Sequence, residues 1–250
     1  MAQPTILYPN TPYLATAAVT ATDSYSGTVP VNVLSAREDT YWRPANTTGT
    51  KVLTIDLGET RNLDSVAIVG EGLDGVTVTL ETSVNGSDYT TRLDGVTWAS
   101  PVNAGWDAWT AAAARYVKIS FATFGSAMRV AWVCLCDRAA FPYLERDFDP
   151  LNIDEAGEAL VSPGGLFLGN LQKRAMRELS LSFGTVQPNE GLVIYDFVEQ
   201  CIKTARPWIF VPDTDSGTCF FCWQSKPKFS APHRLDQYDV APISVVTRAV

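Results

Sequence analysis

The sequence predicts a mainly β protein, in which a jelly-roll-type β-sandwich is followed by a second β-sandwich-like domain with one packed α-helix. Short stretches of alternating apolar and polar residues recur along the first 140 residues, separated by turns rich in Gly, Asp and Asn. Only one later stretch, near residue 190, has the longer period of an amphipathic helix. Many short strands with few helices are typical of antiparallel sandwiches.

The strands of the first domain follow from this alternation. In VTVTLETSV, the side chains of Val76, Val78 and Leu80 share one face, and threonines take the other face. The dipeptide Asn85-Gly86 comes next and predicts a hairpin turn, because both residue types accept positive φ. The other predicted strands are VLTIDL (52–57), SVAIVG (65–70), YVKISF (116–121) and MRVAWVCLC (128–136).

A connector of mixed charge with two prolines, DRAAFPYLERDFDP, predicts a boundary between domains 1–140 and 141–250. Hairpins are expected around Pro163-Gly164-Gly165, and RELSLSF (177–183) alternates as a strand. A helix is predicted at about 190–204. Its apolar side would carry Val193, Ile194, Phe197, Val198, Cys201 and Ile202.

Three further strands are predicted after this helix. PWIFVPD and GTCFFCWQ are apolar runs joined by a turn. The last run, YDVAPISVVTRAV, is interrupted by Pro242, which indicates an edge strand because proline cannot donate to a sheet ladder.

Composition excludes several functions. The net charge is −8 and is spread over both halves, whereas nucleic-acid binding normally needs a basic patch. No run approaches the roughly 18–20 apolar residues of a membrane span, so no membrane insertion is expected. The start of the chain has no basic segment followed by an apolar one, so no secretion signal is predicted.

The cysteines and the histidine give no catalytic or metal motif. The five cysteines are an odd number without a secretion signal, which favours free buried thiols. Cys219 and Cys222 have zinc-like spacing, but no second pair completes four ligands. His233 is the only histidine, and no Gly-x-Ser-x-Gly motif accompanies it. We therefore expect neither an enzyme nor a cofactor.

Four segments in the first half occur in the order of a known family: SAREDTYWRP (35–44), LTIDLGETRNLDSVAIVG (53–70), LETSVNGSDYT (80–90) and RYVKISF (115–121). With them, residues 15–137 resemble the discoidin or factor V/VIII C-type family, which has the galactose-binding-like β-sandwich fold. The resemblance implies that Trp42 packs in the core. In IDLG, Asp56 can hold a turn at which Gly58 adopts a conformation that a β-carbon would oppose.

This resemblance implies binding through loops at one end of the sandwich, to glycans, lipids or proteins. The candidate loops are ATDSYSGT (21–28) and TWASPVNAGWDAWTA (97–111). Aromatic rings beside amide and carboxylate groups suit a sugar, and the alternative is that these tryptophans fill the sandwich or an interface. The predicted ligand-binding residues are Trp98, Asn103, Trp106, Asp107 and Trp109.

A structural calcium is also a property of some family members. Asp23 is a candidate ligand in the first loop. One carboxylate is far short of the roughly 6–8 oxygens that calcium takes. The sequence therefore leaves the metal content open.

The second half resembles bacteriophage tail-tube and distal-tail baseplate proteins in the order of its elements, through 174–186, the helix at 190–204 and 206–223. The resemblance implies a virion structural protein of the tail or baseplate. Its partners would be further copies in a ring, other tail proteins and, through the first domain, a host-surface glycan. The alternative is a monomeric, non-viral bacterial carbohydrate-binding protein.

Overall fold

The computed structural model describes residues 4–8, 16–98, 104–125 and 128–140 of the N-terminal half. In the C-terminal half it describes 153–154, 157–161, 167–172, 176–181, 185–186, 194, 196–202, 204, 206–215, 217–223, 233–234, 237–239 and 243–248. The protein is mainly β, as predicted.

The chain divides into two compact units. Unit 1 comprises Met1–Phe141 with Pro207–Cys219, and unit 2 comprises Pro142–Arg206 with Phe220–Val250. The predicted domains, 1–140 and 141–250, stay a prediction.

The strands are β1 Thr5–Leu7, β2 Ala18–Ala21, β3 Lys51–Glu71, β4 Thr77–Ser83, β5 Thr90–Thr97, β6 Ala104–Ala122, β7 Arg129–Cys136, β8 Ala139–Ala140, β9 Ile153–Asp154, β10 Gly157–Val161, β11 Phe167–Gln172, β12 Met176–Leu181, β13 Thr185–Val186, β14 Trp208–Val211, β15 Phe220–Trp223, β16 His233–Arg234, β17 Gln237–Asp239 and β18 Ile243–Arg248.

The sandwich of unit 1 is built on two long antiparallel strands, β3 and β6. Strands β2, β3, β6, β4 and β5 lie side by side in that order, and β7 pairs with the second half of β3. The predicted inward face of β4 is confirmed, since Val78 and Leu80 are fully buried. The core combines side chains from both halves of β3 with those of its neighbours, among them Trp42, Leu53, Ile55, Val66, Ile68, Val78, Ile119, Phe121 and Val133.

The two strands predicted at 52–57 and 65–70 are one strand, β3. Its register against β6 shifts between Asp56 and Arg61, so the predicted turn is an irregularity inside a continuous ladder. Asp56 holds this point, as predicted: its Oδ1 accepts a hydrogen bond from the Gly58 amide at 2.9 Å. Arg115 donates to both oxygens of the same carboxylate, at 2.9 and 3.0 Å. The guanidinium thereby lowers the pKa of Asp56.

Replacing Gly58 with alanine is expected to destabilise the protein by about 2 kcal/mol. Gly58 has φ +81°, and an added Cβ would lie 3.0 Å from Thr16 Oγ1, so the backbone strain adds to a close contact. Gly49 is the matched control, because it has φ +69° with nothing within 4 Å. Urea denaturation should show a larger loss for Gly58→Ala than for Gly49→Ala; equal losses would contradict the role of the Thr16 contact.

The predicted hairpin joins β4 and β5, but its connection is longer than a two-residue turn. Of Asn85 and Gly86, only Gly86 has positive φ, at +80°. The Asn85 side chain organises the connection, because its Oδ1 accepts hydrogen bonds from the amides of Ser87 and Asp88, both at 2.9 Å.

Unit 1 contains three further strands that lie outside the sandwich sheet. β1 pairs antiparallel with β8 and with β14, and Ile6 lies opposite both Ala139 and Phe210. β1 also contacts β3 and β7. On the face of β7 away from the core, Trp132 and Cys134 are fully buried.

In unit 2, β15, β18, β12 and β9 are neighbours in that order. The prediction that the last strand is an edge strand is wrong, because β18 pairs with β12 on one side and β15 on the other. β18 begins at Ile243, after Pro242, so the proline costs the ladder no donor. β10 and β11 form a predicted hairpin, and its central residues 162–166 lie outside the described residues.

The predicted helix is described only in part, at residues 194 and 196–202. Within it, Val198–Ile202 form a π-helix, which sequence periodicity did not predict. Ile194, Phe197 and Cys201 are buried as the apolar side of the prediction requires. Among the described residues, no helix is long and apolar enough to cross a membrane.

All five cysteines are free and buried, as predicted. Burial raises the pKa of the Cys219 thiol to about 12. A thiol held in its neutral form is a poor nucleophile and a poor metal ligand. The described residues contain no group of three or more His, Cys, Asp or Glu side chains placed to hold a metal.

Candidate functional site

The segment 41–47 is fixed to the sandwich by Trp42. The backbones of Trp42 and Val130 exchange two hydrogen bonds, at 2.8 and 2.9 Å. The Trp42 ring is fully buried, and its Nε1 donates to the Asp23 carbonyl at 3.0 Å and to Ser24 Oγ at 3.1 Å. The prediction that Trp42 belongs to the core is confirmed. Trp42 and Pro44 are buried, whereas Arg43 between them is half-buried.

The carboxylate of Asp23 is engaged by protein groups. Lys51, whose side chain is 7% exposed, places Nζ 2.5 Å from Asp23 Oδ2 and 2.9 Å from Asn46 Oδ1. The Ala45 amide donates to Asp23 Oδ1 at 3.2 Å. The hydrogen bond from Lys51 lowers the pKa of Asp23. Asp23, the candidate calcium ligand, is thus bound to the Lys51 ammonium group. Its contact with the Ala45 amide, and the Lys51 ammonium shared with Asn46, join the 21–28 loop to the 43–47 segment.

A pocket of about 260 Å³ opens beside this cluster. Of the residues that line it, Met128 is buried and Phe124 is half-buried against the core. Thr123, just before Phe124, has φ +55°, which is uncommon for a β-branched residue. Such conformations are concentrated at functional sites. The pocket is lined by Arg43, Pro44, Ala45, Asn46, Thr47, Phe124, Gly125 and Met128.

Arg43 is held against an aromatic ring at the rim of this pocket. Its guanidinium carbon lies 4.7 Å from the centroid of the Tyr25 ring, which is 48% exposed. The Arg43 carbonyl accepts hydrogen bonds from the Tyr25 amide at 2.9 Å and from Thr28 Oγ1 at 3.3 Å. Both the backbone and the charged end of Arg43 are therefore positioned by the 21–28 loop.

The predicted tryptophan cluster is not arranged as one exposed platform. The segment 97–111, predicted as a loop, contains the start of β6 at Ala104. Alternation along β6 puts Trp106 and Trp109 on opposite faces of the strand. Trp98 is 9% and Trp106 6% exposed, so neither indole offers a free face. Asn103 lies outside the described residues.

Trp98 and Trp109 make contacts that stabilise the fold. An added Cβ on Gly105 would lie 2.1 Å from the Trp98 ring, so the indole rests on a bare stretch of backbone. Trp109 packs against the core and donates its Nε1 hydrogen bond to the Leu63 carbonyl at 3.1 Å. The role of these residues in ligand binding stays a prediction.

Asp107 lies beside Trp98 in a partly buried position. Burial raises the pKa of its carboxyl, and the Ala108 amide, which donates to Oδ1 at 2.7 Å, opposes this effect. The Trp98 indole also approaches the carboxylate and lowers its pKa, although Nε1 does not reach hydrogen-bonding geometry. The Asp107 carboxyl is therefore a weaker acid than that of an exposed aspartate.

Sequence reasoning did not select Arg43, Asn46, Thr47 and Phe124 as site residues. A usable signal was present in SAREDTYWRP, because an arginine between inward-facing Trp42 and Pro44 must point outward near a candidate loop. No sequence pattern placed Phe124, Gly125 and Met128 beside 43–47, since 76 residues lie between Thr47 and Phe124.

Residues 17–135 match the model of the F5/8 type C domain family, which confirms the resemblance predicted for the N-terminal half. No curated protein matches the chain. The resemblance of the C-terminal half to tail proteins gains no support from the comparisons.

Solved structures similar to this chain include carbohydrate-binding modules. CpGH89CBM32-5 from Clostridium perfringens, in complex with GalNAc-β-1,3-galactose, is 14% identical with a TM-score of 0.46, and the match covers 53% of this chain and 99% of that one. Chitosan-binding module 1 from a chitosanase/glucanase of Paenibacillus sp. IK-5 is 17% identical with a TM-score of 0.44, covering 48% and 94%. A pectin-binding module is 20% identical with a TM-score of 0.44, covering 50% and 93%.

Proposed function

We propose that this protein binds carbohydrate through unit 1, at the pocket beside segment 43–47. The observation that carries the proposal is the pocket itself, which lies within the stretch matched by the F5/8 type C family. The family match favours the binding protein expected as the alternative from the sequence. The side-chain chemistry of the pocket is the reason for proposing the binding site there.

The pocket has the groups that sugar recognition needs. Arg43 supplies guanidinium donors and Thr47 supplies a hydroxyl that both donates and accepts. The Asn46 side chain also lines the pocket, but its Oδ1 already accepts hydrogen bonds from the Thr48 amide at 3.0 Å and from Lys51 Nζ at 2.9 Å. Phe124, which is half-buried, gives an apolar surface on which the carbon–hydrogen face of a pyranose can pack. A few placed polar groups above an apolar surface are typical of ligand sites.

The size of the pocket suits a small ligand. Its volume of about 260 Å³ is at the low end of pockets for drug-sized ligands, which span roughly 300–1,000 Å³. We infer that one terminal sugar residue enters the pocket, while the rest of the glycan stays in solvent. This predicts binding to chain ends rather than to the interior of a polymer.

The tail or baseplate role predicted from the C-terminal half remains a prediction, as do the ring of identical subunits, the tail-protein partners and the virion location. Parts of 174–186 and of 190–204 lie outside the described residues. The expectation that the protein is not an enzyme is likewise untested.

A glycan array with the full chain, followed by calorimetry on the best ligands, tests the proposed function. Thr47→Ala should weaken binding about 2- to 12-fold, the effect of losing one hydrogen bond worth about 0.5–1.5 kcal/mol. Thr91→Ala is the matched control, because Thr91 is an exposed threonine on β5, outside the pocket. It should leave binding unchanged.

A second pair of variants separates the pocket from the tryptophan cluster. Phe124→Ala should reduce affinity at least about 10-fold, since it removes the aromatic ring on which the sugar would pack. Trp109→Phe should leave affinity unchanged while lowering thermal stability, because it removes the hydrogen bond to Leu63. The reverse pattern would move the site to the tryptophans, and an array without any bound glycan would contradict the proposed function.

A further inference from the structure

The arginines of unit 1 differ in how their charge is compensated. Arg37 pairs with Asp39 at 2.5 Å, and Arg129 pairs with Glu71 at 3.3 Å. Arg43 forms no ion pair with any of the residues that the structure describes. It is therefore a cation at the rim of a pocket, in a protein whose net charge is −8.

No carboxylate of the pocket is available to neutralise Arg43. Among the described residues that line the pocket, no side chain is acidic. Asp23, on the loop that also carries Tyr25, already holds Lys51 at 2.5 Å and the Ala45 amide at 3.2 Å. The positive charge of Arg43 is thus turned toward the pocket and solvent.

The orientation of Arg43 is fixed before any ligand binds. The guanidinium carbon lies over the Tyr25 ring, 4.7 Å from its centroid, and this cation–π contact restrains the charged end of the side chain. The hydrogen bonds from Tyr25 and Thr28 to the Arg43 carbonyl restrain its backbone. A preorganised donor loses less side-chain entropy on binding, so this arrangement favours ligand contact.

We propose that the pocket recognises a carboxylated sugar, such as a uronate, with the carboxylate bound in bidentate fashion by Arg43; this rests on the proposed function. The planar fork of a guanidinium matches the two oxygens of a carboxylate. A doubly charged phosphate would favour a second cation, and the neighbouring Lys51 is buried and paired with Asp23. A neutral sugar would leave the charge of Arg43 uncompensated.

The experiment measures calorimetric affinities of the full chain for glucuronate-, galacturonate- and mannuronate-terminated oligosaccharides. Each is measured beside its carboxyl-reduced neutral counterpart and beside a sulfated oligosaccharide. The expected result is at least a 10-fold preference for one uronate over its neutral counterpart, with affinity falling as salt increases. A stronger response to the sulfated sugar, or no preference for acid, overturns the proposal.

Variants of Arg43 attribute the preference to its charge. Arg43→Gln should remove the acid preference while the neutral counterpart binds within about 3-fold of wild type, and Arg43→Lys should keep part of the preference. Arg92→Gln is the control, because Arg92 lies on β5 and donates to Thr82. Circular dichroism and the melting temperature verify that each variant is folded. Equal loss of acidic and neutral binding in Arg43→Gln would also overturn the proposal.

The failure of this inference is distinguishable from the failure of the proposed function. Binding of neutral sugars without a preference for acids leaves carbohydrate binding intact and removes only the role of Arg43. Absence of binding to every glycan removes both.

Discussion

Replacing Gly70 with alanine is expected to destabilise the protein by about 3 kcal/mol or more. A Cβ at Gly70 would lie 1.9 Å from the carbonyl oxygen of Arg129 and 3.1 Å from the Cα of Val130. Both atoms belong to the backbone of β7, so no side-chain rotation relieves the clash, and β3 and β7 must separate. The free energy of unfolding should be measured by urea denaturation, followed by tryptophan fluorescence.

The same substitution should also weaken ligand binding. Gly70 lies at the register shift between β3 and β7, and Val130 on β7 holds Trp42 through two backbone hydrogen bonds. Displacing Val130 therefore moves the segment that carries Arg43. Gly125→Ala is the control for stability alone, because Gly125 lines the pocket; its added Cβ meets nothing within 4 Å, and it should change the free energy of unfolding by less than about 0.5 kcal/mol. An unchanged urea midpoint for Gly70→Ala would contradict the close approach.

The second large effect is expected for Lys51→Met, which removes the ammonium group and keeps much of the side-chain length. The Lys51 side chain is 7% and that of Asp23 26% exposed, so the substitution leaves a partly buried carboxylate without its cation. We expect a loss of about 2 kcal/mol, reduced from the full cost of a buried pair by the partial exposure of Asp23.

A double-mutant cycle with Asp23→Asn separates the pair from other effects of the single changes. Lys118→Met is the matched control: Lys118 pairs with Glu81 at 3.4 Å and its side chain is 35% exposed, so its loss should cost less than about 1 kcal/mol. Additive losses for Lys51→Met and Asp23→Asn would show that the two side chains are not coupled.

The Asp23–Lys51 pair also predicts a dependence on pH. The hydrogen bond from Lys51 lowers the pKa of Asp23 in the folded protein below that of the unfolded chain, which is about 3.9. The stability that the pair provides is therefore complete above that value and is lost as pH falls through the lower, folded pKa. The difference in unfolding free energy between wild type and Lys51→Met should shrink below about pH 4. A difference that is constant down to pH 2 would exclude this linkage.

Sequence reasoning was most successful where the chemistry is local. Asp56 and Gly58 are two residues apart, and the predicted turn role of Asp56 follows from the short reach of its side chain to the next amides. The alternation of Val78 and Leu80 sufficed to assign the buried face of β4, because the side-chain period of a strand is two. Asn85-Gly86 correctly predicted the hairpin because turn chemistry is also local, although the connection between β4 and β5 is longer than the two-residue turn expected.

The tryptophan cluster shows where such reasoning reached its limit. Trp98, Trp106 and Trp109 are close in sequence and chemically suited to a sugar. Their exposure depends on which side of β6 meets the core, and on Gly105, which leaves space for the Trp98 ring. Neither property can be read from twelve residues alone, because both depend on strands distant in sequence.

By itself, the sequence determined the mainly β class, the sandwich of the first half, its family resemblance and the free buried cysteines. These follow from the period of apolar residues and from turn chemistry, which act within a few residues. Only the tertiary structure decided that Lys51 occupies the Asp23 carboxylate, that β18 lies inside its sheet, and that Arg43 meets Phe124 at one pocket. These contacts join segments tens of residues apart, and strand pairing, not local preference, brings them together.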